Sequence, residues 1–255
     1  KSLQQSLGVM LFQRNASGMR LTSDGSKLLP LAEKVLQGST ELLHAARALH
    51  STLSGELAIG TILDPEFTRL GAFLRRLVEA HPQISTRLQH GMSGWVQQQL
   101  RDGTLDVGYY LGEPDKQCHT IILTTFNYSV VAPQGWKQRV LGKDWDELAR
   151  LPWIWAPPES VHNRLLRQSF ATHNVEPHQV ALVDQEASML DLVKSGVGLS
   201  LVRDSIALRE AQAHGLVIAD RVSVSTALSF ICLAQRRQEM CINTAFQLMT
   251  NLWHS

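Results

Sequence analysis

Polar and aromatic side chains follow several stretches of this sequence that are predicted to be β-strands. Ligands of open α/β sheets bind beyond the carboxyl ends of the strands, where helix N-termini present free N–H groups. The residues at those ends here are Thr61, Ile62, Asp64, Pro65, Ser93, Tyr110, Trp155, Ser160, Asp184 and Glu186. Together they predict a binding site for a small ligand.

Asp64 gives a first indication of the charge of that ligand. A carboxylate in a partly dry site disfavours an anion unless another group offsets its charge. It therefore favours a neutral, polar or cationic ligand, to which Tyr110 and Trp155 can offer an aromatic face. The alternative for both rings is a place in the core. The alternative for three of the polar residues is to cap helices: Ser93, Ser160 and Asp184.

No pattern typical of an enzyme is present in the sequence. Gly196-x-Gly198 lacks the third glycine of a dinucleotide fingerprint, and Gly91-Met-Ser93-Gly94 is not a Gly-x-Ser-x-Gly elbow. The ten histidines are scattered, and the three cysteines lack metal-ligand spacing. We therefore expect no catalysis, no cofactor and no metal. Cys232 lies in an apolar strand, which favours a buried, unreactive thiol over a redox switch.

Alternating strands and helices position the candidate residues. The pattern predicts strands over 56–60, 84–88, 105–110, 128–132, 153–155, 180–183, 199–202 and 228–234. It predicts helices over 70–81, 94–102, 160–173, 187–195, 205–213 and 241–253. This order indicates an α/β fold with parallel pairing and right-handed crossovers.

The first 54 residues follow a different pattern. Leu3 and Leu7 share one face of a helix that Gly8 can end in the left-handed conformation. Two short extended pieces joined by a turn come next, and then one long helix over 24–53. Its apolar stripe needs a partner along its length, either in its own domain or in a second copy of the chain.

Composition excludes some classes of protein. Hydrophobic residues make up 44% of the 255 and charged residues 18%, which suits globular domains. No stretch approaches the ~20 apolar residues of a membrane span. Sparse cysteine indicates a reducing compartment, and thus the cytoplasm. The net charge is only +1, but residues 1–54 hold six Lys or Arg against three Asp or Glu, a basic excess suited to DNA.

Motifs along most of the chain resemble LysR-type transcriptional regulators. The N-terminal pattern is Leu7-Gly8-x-x-Leu11-Phe12-x-Arg14 followed by Leu21-Thr22-x-x-Gly25, with Gln4 where the family usually has an acid. Further matching segments are Gly55-Glu-Leu-Ala-Ile-Gly60, His81-Pro82, Gly91-x-Ser93, Leu100-x-x-Gly103-x-Leu105-Asp106 and Leu192-Val193-x-x-Gly196-x-Gly198.

The resemblance implies a ligand-responsive, DNA-binding regulator, and the alternative is a solute-binding module of transport or chemotaxis. It assigns 1–22 to the end of a winged helix-turn-helix, 23–54 to a linker helix, 55–131 with 231–255 to effector lobe I, and 132–230 to effector lobe II. Both lobes would be Rossmann-like, as in periplasmic binding proteins, with the small effector between them.

The same resemblance implies the partners. Lys1 would lie within the recognition helix, so that most base-reading residues precede it. The wing would touch double-stranded DNA through Arg14, Asn15, Ser17 and Arg20. The linker helix would form a homodimer, and two dimers would pair into a homotetramer. No membrane partner is expected.

Overall fold

The computed structural model describes residues 3–15, 18–48, 53–62 and 64–254. The chain divides into two compact units, Lys1–Leu53 and Ser54–Ser255.

The first unit consists of a short helix, a hairpin and a long helix. Its elements are α1 (Leu3–Leu7), β1 (Phe12–Asn15), β2 (Gly18–Leu21) and α2 (Ser23–Ala48). The two strands pair antiparallel, from Phe12 opposite Leu21 to Asn15 opposite Gly18. The predicted hairpin is thereby confirmed. The predicted long helix is confirmed as far as Ala48, and residues 49–52 lie outside the described part.

The motif residues of this unit each have a physical reason. Gly8 adopts φ +70° and ends α1. Thr22 caps α2, since its hydroxyl oxygen accepts from the Gly25 N–H at 3.0 Å. A Cβ on Gly25 would lie 2.2 Å from the Leu11 carbonyl oxygen, so only glycine fits there. Gln4 Oε1 accepts from the Leu11 and Phe12 amides at 2.8 and 3.0 Å, as a carboxylate oxygen could.

The second unit is built on a six-stranded sheet. Its strands are β3 (Gly55–Thr61), β4 (Ile84–His90), β5 (Val107–Leu111), β6 (Cys118–Ala132), β9 (Ser200–Arg203) and β10 (Val217–Leu233), in the order β4-β3-β5-β10-β6-β9. The pairs β3–β4 and β3–β5 are parallel, as predicted, and β10 is antiparallel to both of its neighbours.

A smaller sheet pairs β7 (Pro152–Trp155) parallel with β8 (His178–Leu182). A parallel bridge between Trp153 and Leu199 connects it to the start of β9. The carboxyl ends of β7, β8 and β9 therefore lie at one edge.

Two long strands, β6 and β10, cross between the two halves of the unit. The predictions of 128–132 and 228–234 were too short, because polar residues such as Thr124, Thr125 and Asn127 weaken the strand pattern. Their pairing with β10 makes them strand all the same. The predicted lobe boundaries at 131 and 231 fall in or beside these strands and stay predictions.

Helices cover the sheets. They are α3 (Leu70–Ala80), α4 (Ser93–Arg101), α5 (Lys137–Val140), α6 (Trp145–Ala149), α7 (Val161–His173), α8 (Glu186–Lys194), α9 (Asp204–His214) and α10 (Met240–Trp253). The six predicted helices are confirmed within one residue at each end. Helices α5 and α6 were missed, although α6 carries an Asp144–Glu147 capping box that the sequence displays.

We call β3–β5 with α3, α4, α10 and the end of β10 that pairs with β5 the first lobe, and β7–β9 with α5–α9 the second lobe. The first packs Phe73, Phe230 and Phe246 together, with Phe230 lying 5.8 and 5.0 Å from the other two rings. The second packs Trp153 and Trp145 against Phe170, each with 5.2 Å between ring centroids. Each lobe thus has its own aromatic core.

Candidate functional site

A cavity of about 530 Å³ lies between the two lobes. The first lobe contributes residues that follow β3 and β4 and end β5, including Ile62, Met92 and Leu111. The second lobe contributes residues around the starts of α7, α8 and α9. Strand ends and helix N-termini of both lobes therefore meet at one place, as the order of elements predicted.

Six of the ten residues predicted at strand ends line this cavity: Ile62, Asp64, Ser93, Ser160, Asp184 and Glu186. The other four, Thr61, Pro65, Tyr110 and Trp155, are not among its lining residues. The Thr61 hydroxyl donates to the Gln89 carbonyl at 3.3 Å. Tyr110 is buried, and Trp155 stacks on Phe170 at 6.1 Å between centroids. Effector binding by any of the ten stays a prediction.

Helix capping was the alternative role for Ser93, Ser160 and Asp184, and only one of the three has it. Ser160 precedes α7 and its hydroxyl oxygen accepts from the His162 N–H at 3.2 Å, so it is a cap. Ser93 is not: it is the first residue of α4, and its Oγ accepts from the Leu111 N–H at 3.0 Å in the neighbouring strand. Asp184 is not a cap either, because Gln185 immediately precedes α8.

Arg203, which the sequence analysis missed, is the most deeply buried charge that lines the cavity. It is 3% exposed, and its guanidinium lies 4.5 Å from the Phe67 ring. Nη2 is 3.6 Å from Asp64 Oδ2, and Nε is 3.5 Å from Glu186 Oε1. The strand-end rule could have found it, because it is the last residue of β9. Arg203 also offsets the charge of Asp64. The Asp64 carboxylate alone is therefore no longer a reason to disfavour an anionic group on the ligand.

His162, also missed, is buried beside Arg203. Burial and the nearby guanidinium lower the pKa of the imidazole to about 4, so that the ring is neutral at physiological pH. Its Nδ1 lies 3.3 Å from the Ser160 hydroxyl, and its ring packs edge to face on Tyr128 at 4.7 Å. We assign the ring proton to Nε2, since the Ser160 hydroxyl can donate to Nδ1. A position just inside a helix gave no signal of this role.

Three buried polar atoms of these residues have no hydrogen-bond partner within the described part of the chain. They are His162 Nε2, Arg203 Nε and Glu186 Oε1. Buried polar atoms in proteins are almost always hydrogen-bonded, and one left alone costs about 1–3 kcal/mol. All three residues line the cavity. These three buried atoms therefore offer two donors and one acceptor to a ligand.

Direct contacts tie the lobes together beside the cavity. Arg164, in α7, donates to the Leu111 carbonyl at 2.7 Å and to the Tyr110 hydroxyl, both in β5. The Gly94 N–H at the start of α4 donates to the Glu159 carbonyl at 3.2 Å. Any change in the angle between the lobes must break or stretch these bonds.

Other classes of site are not formed by the described residues. Among them, no group of three or more His, Cys, Asp or Glu is placed to hold a metal ion. No helix of the described chain is long and apolar enough to cross a membrane. Cys232 is fully buried, as predicted. Burial raises the pKa of its thiol to about 12.

Comparison with known proteins identifies the family. Residues 50–253 match the model of the LysR substrate binding domain, which is most of the chain. The chain belongs to the LysR family. The chain is therefore a LysR-type transcriptional regulator, and the comparisons do not support the alternative of a solute-binding module.

LysR relatives match beyond the effector lobes. The chain is 26% identical over 218 residues to the HTH-type transcriptional regulator ClcR of Pseudomonas putida, covering 82% of this chain and 72% of that protein. It is 27% identical over 243 residues to TfdS of Cupriavidus pinatubonensis, covering 90% and 80%.

Solved LysR structures share the fold. The effector binding domain of QuiR, in complex with shikimate, superposes with a TM-score of 0.63 at 14% identity, covering 79% of this chain and 98% of that one. Full-length CbnR, complexed with its target DNA, gives 0.54 at 20% identity, covering 98% and 86%. The two-lobed α/β architecture is thereby confirmed.

Proposed function

We propose that this LysR regulator binds a small effector in the cavity between its lobes and thereby changes its binding to DNA. The observation that supports the proposal is the pair of buried donors without a hydrogen bond, His162 Nε2 and Arg203 Nε, in a cavity of about 530 Å³. The cost of leaving such atoms without partners is recovered when a ligand supplies them. A wall selected only for stability would pair or replace them.

The effector would act by favouring one angle between the lobes. A ligand shifts a conformational equilibrium only by its difference in affinity for the two states. Its contacts here come from both lobes, so that its affinity depends on their separation. The Arg164 and Gly94 bonds are the contacts that an opening motion would break.

Double-stranded DNA is the proposed partner of the first unit. Arg14 and Arg20 are exposed on the two strands of the hairpin, where they can reach phosphates or the minor groove. The Asn15 side chain and Ser17 lie outside the described residues, and their part in the wing stays a prediction. Arg14→Ala should weaken binding to double-stranded DNA and reduce the salt dependence of that affinity. Exposed Arg75→Ala in α3 is the control; equal affinity of both variants at moderate salt would contradict the wing assignment.

A homodimer through α2 is the second proposed assembly. Leu31 and Val35 are 56% and 72% exposed on this helix in the single chain, as expected for a helix that packs against a twin. Pairing of two such dimers would give a homotetramer. Location in the cytoplasm and absence of catalysis are proposed along with the regulator function, as are the domain ranges predicted above.

A thermal-shift screen of this protein tests the effector site. The library contains amines, amino acids, sugars and aromatic acids, and the test variant is Ala187→Trp. Ala187 is exposed at the start of α8 and lines the cavity, so that an indole there fills it with little risk to folding. Ser188→Trp is the control, because Ser188 is also exposed but does not line the cavity.

We expect a saturable rise in melting temperature that Ala187→Trp abolishes and Ser188→Trp preserves. A rise that survives Ala187→Trp would place the ligand elsewhere. No rise with any compound would contradict effector control at this cavity.

A further inference from the structure

The charges around the cavity limit the net charge of its ligand. Its wall carries three carboxylates, Asp64, Asp184 and Glu186, and two guanidinium groups, Arg203 and Arg209. His162 adds no charge, since burial lowers its pKa to about 4. His90 is exposed, and its Nδ1 lies 3.4 Å from the Thr61 hydroxyl. One carboxylate is thus in excess, which disfavours a ligand with a net negative charge.

Helix N-termini reduce that excess. Helices α4, α8 and α9 have no side-chain cap, and residues at the start of all three line the cavity. The N-terminus of a helix carries a partial positive charge of about half a unit. The wall is therefore close to neutral, which disfavours a simple cation as much as a simple anion.

The unpartnered atoms define the shape of the polar group. His162 Nε2 and Arg203 Nε both need an acceptor, while Glu186 Oε1 needs a donor. Arg203 Nε and Glu186 Oε1 form an ion pair, 3.5 Å apart, without a hydrogen bond, so that a ligand bonding to both atoms presents its acceptor and its donor side by side. Around them the wall is apolar, with side chains of both lobes that include Ile62, Leu111, Met189 and Ile206.

From these placements we infer that the effector has no net charge and carries a hydrogen-bond acceptor beside a donor on an apolar body. The acceptor lies between Arg203 and His162, and the donor lies against Glu186. A zwitterionic α-amino acid and a neutral primary amide share this chemistry. The inference rests on the proposed effector cavity and adds the class of ligand to it.

Four probes with the same six-carbon skeleton separate the possibilities: L-norleucine as the zwitterion, hexanamide as the neutral amide, hexanoate as the anion and hexylamine as the cation. We expect calorimetric titration at neutral pH to give norleucine or hexanamide at least about tenfold tighter binding than hexanoate and hexylamine, the effect of one lost buried hydrogen bond. Which of the two binds more tightly distinguishes the zwitterion from the amide.

Glu186→Gln provides the matched test of the charge. It preserves the size of the side chain but removes one carboxylate, so that hexanoate should bind more tightly and the preferred probe about tenfold more weakly. Glu176→Gln is the control, since Glu176 is exposed and does not line the cavity.

Tightest binding by hexanoate or hexylamine would overturn the ligand class. So would failure of all four probes while a library compound of another class binds in an Ala187-dependent way; the effector cavity itself would then stand. Failure of every library compound would overturn both proposals.

Discussion

Both lobes contribute apolar side chains to the cavity wall, such as Ile62 and Ile206, whereas its buried guanidinium and imidazole, Arg203 and His162, both come from the second lobe. The buried hydroxyl of the first wall, Ser93, already accepts from the Leu111 amide, while the second wall keeps buried donors without partners. The lobes are built from the same elements, so the difference lies in the side chains at their edges. The buried donors of the proposed effector site therefore come from the second lobe.

Alanine variants of the two aromatic cores test whether the lobes contribute equally to the free energy of unfolding. Trp153→Ala in the second lobe and Phe230→Ala in the first should each lower the free energy of unfolding by about 3–5 kcal/mol, because both rings are fully buried. Urea unfolding followed by circular dichroism measures this. Because β6 and β10 run through both lobes, each variant should keep a single transition.

Half-buried Trp136, which contacts the Arg139 guanidinium at 3.8 Å, provides the control. Trp136→Ala should lower the free energy of unfolding by less than about 1.5 kcal/mol. Two separate transitions in either core variant would show that the lobes unfold independently.

Buried His162 should make the stability of the second lobe depend on pH. The unfolded imidazole titrates near its ordinary pKa of 6.5, and burial lowers the folded pKa to about 4. Between these values the unfolded state binds more protons, so that stability falls as the pH is lowered from 6.5 to 4, by up to about 3 kcal/mol. The groups beside this imidazole are the Arg203 guanidinium, the Tyr128 ring and the Ser160 hydroxyl.

Urea unfolding at several pH values measures this dependence. His162→Phe keeps an aromatic ring against Tyr128 and should reduce the slope in this window. A slope as steep as in the parent protein would assign the effect to other groups, such as His81 and His119, whose pKa values burial also lowers.

A variant of Arg164 tests whether its hydrogen bonds hold the two lobes together. Arg164→Met removes its bonds to Leu111 and Tyr110 and should cost about 1.5–3 kcal/mol, the usual contribution of hydrogen bonds to a charged group. Small-angle scattering should also show a larger radius of gyration. The control is Arg167→Met in the same helix, because Arg167 bonds to Asn163 of its own lobe at 2.8 Å. Equal effects of the two changes would refute the bridging role.

The smallest expected effect concerns two helical glycines of the first lobe. A Cβ on Gly71 meets nothing within 4 Å, so Gly71→Ala should stabilise by about 0.5–1 kcal/mol through helix propensity. A Cβ on Gly94 would lie 3.1 Å from the Glu159 carbonyl oxygen of the second lobe. Gly94→Ala should lose that gain and weaken effector binding. A gain equal to that of Gly71→Ala would show that the lobes are not in close contact there.

The sequence by itself determined the elements and the local motifs of this protein. Gly8 ends α1 and Thr22 caps α2, which are local effects that a motif can specify. The six predicted helices of the second unit follow from periodic apolar residues. The carboxyl ends of the strands could be located, and six of the ten residues chosen there line the cavity.

Only the tertiary structure decided which polar groups face each other. Arg203, Glu186 and Asp64 lie in separate elements, and β9, the start of α8 and the segment after β3 bring both carboxylates within 4 Å of the guanidinium. The long crossing strands likewise depend on pairing with a distant partner, which outweighs their polar residues. Local propensity is encoded residue by residue, whereas the charge balance and the unpartnered atoms of a cavity exist only once the lobes have met.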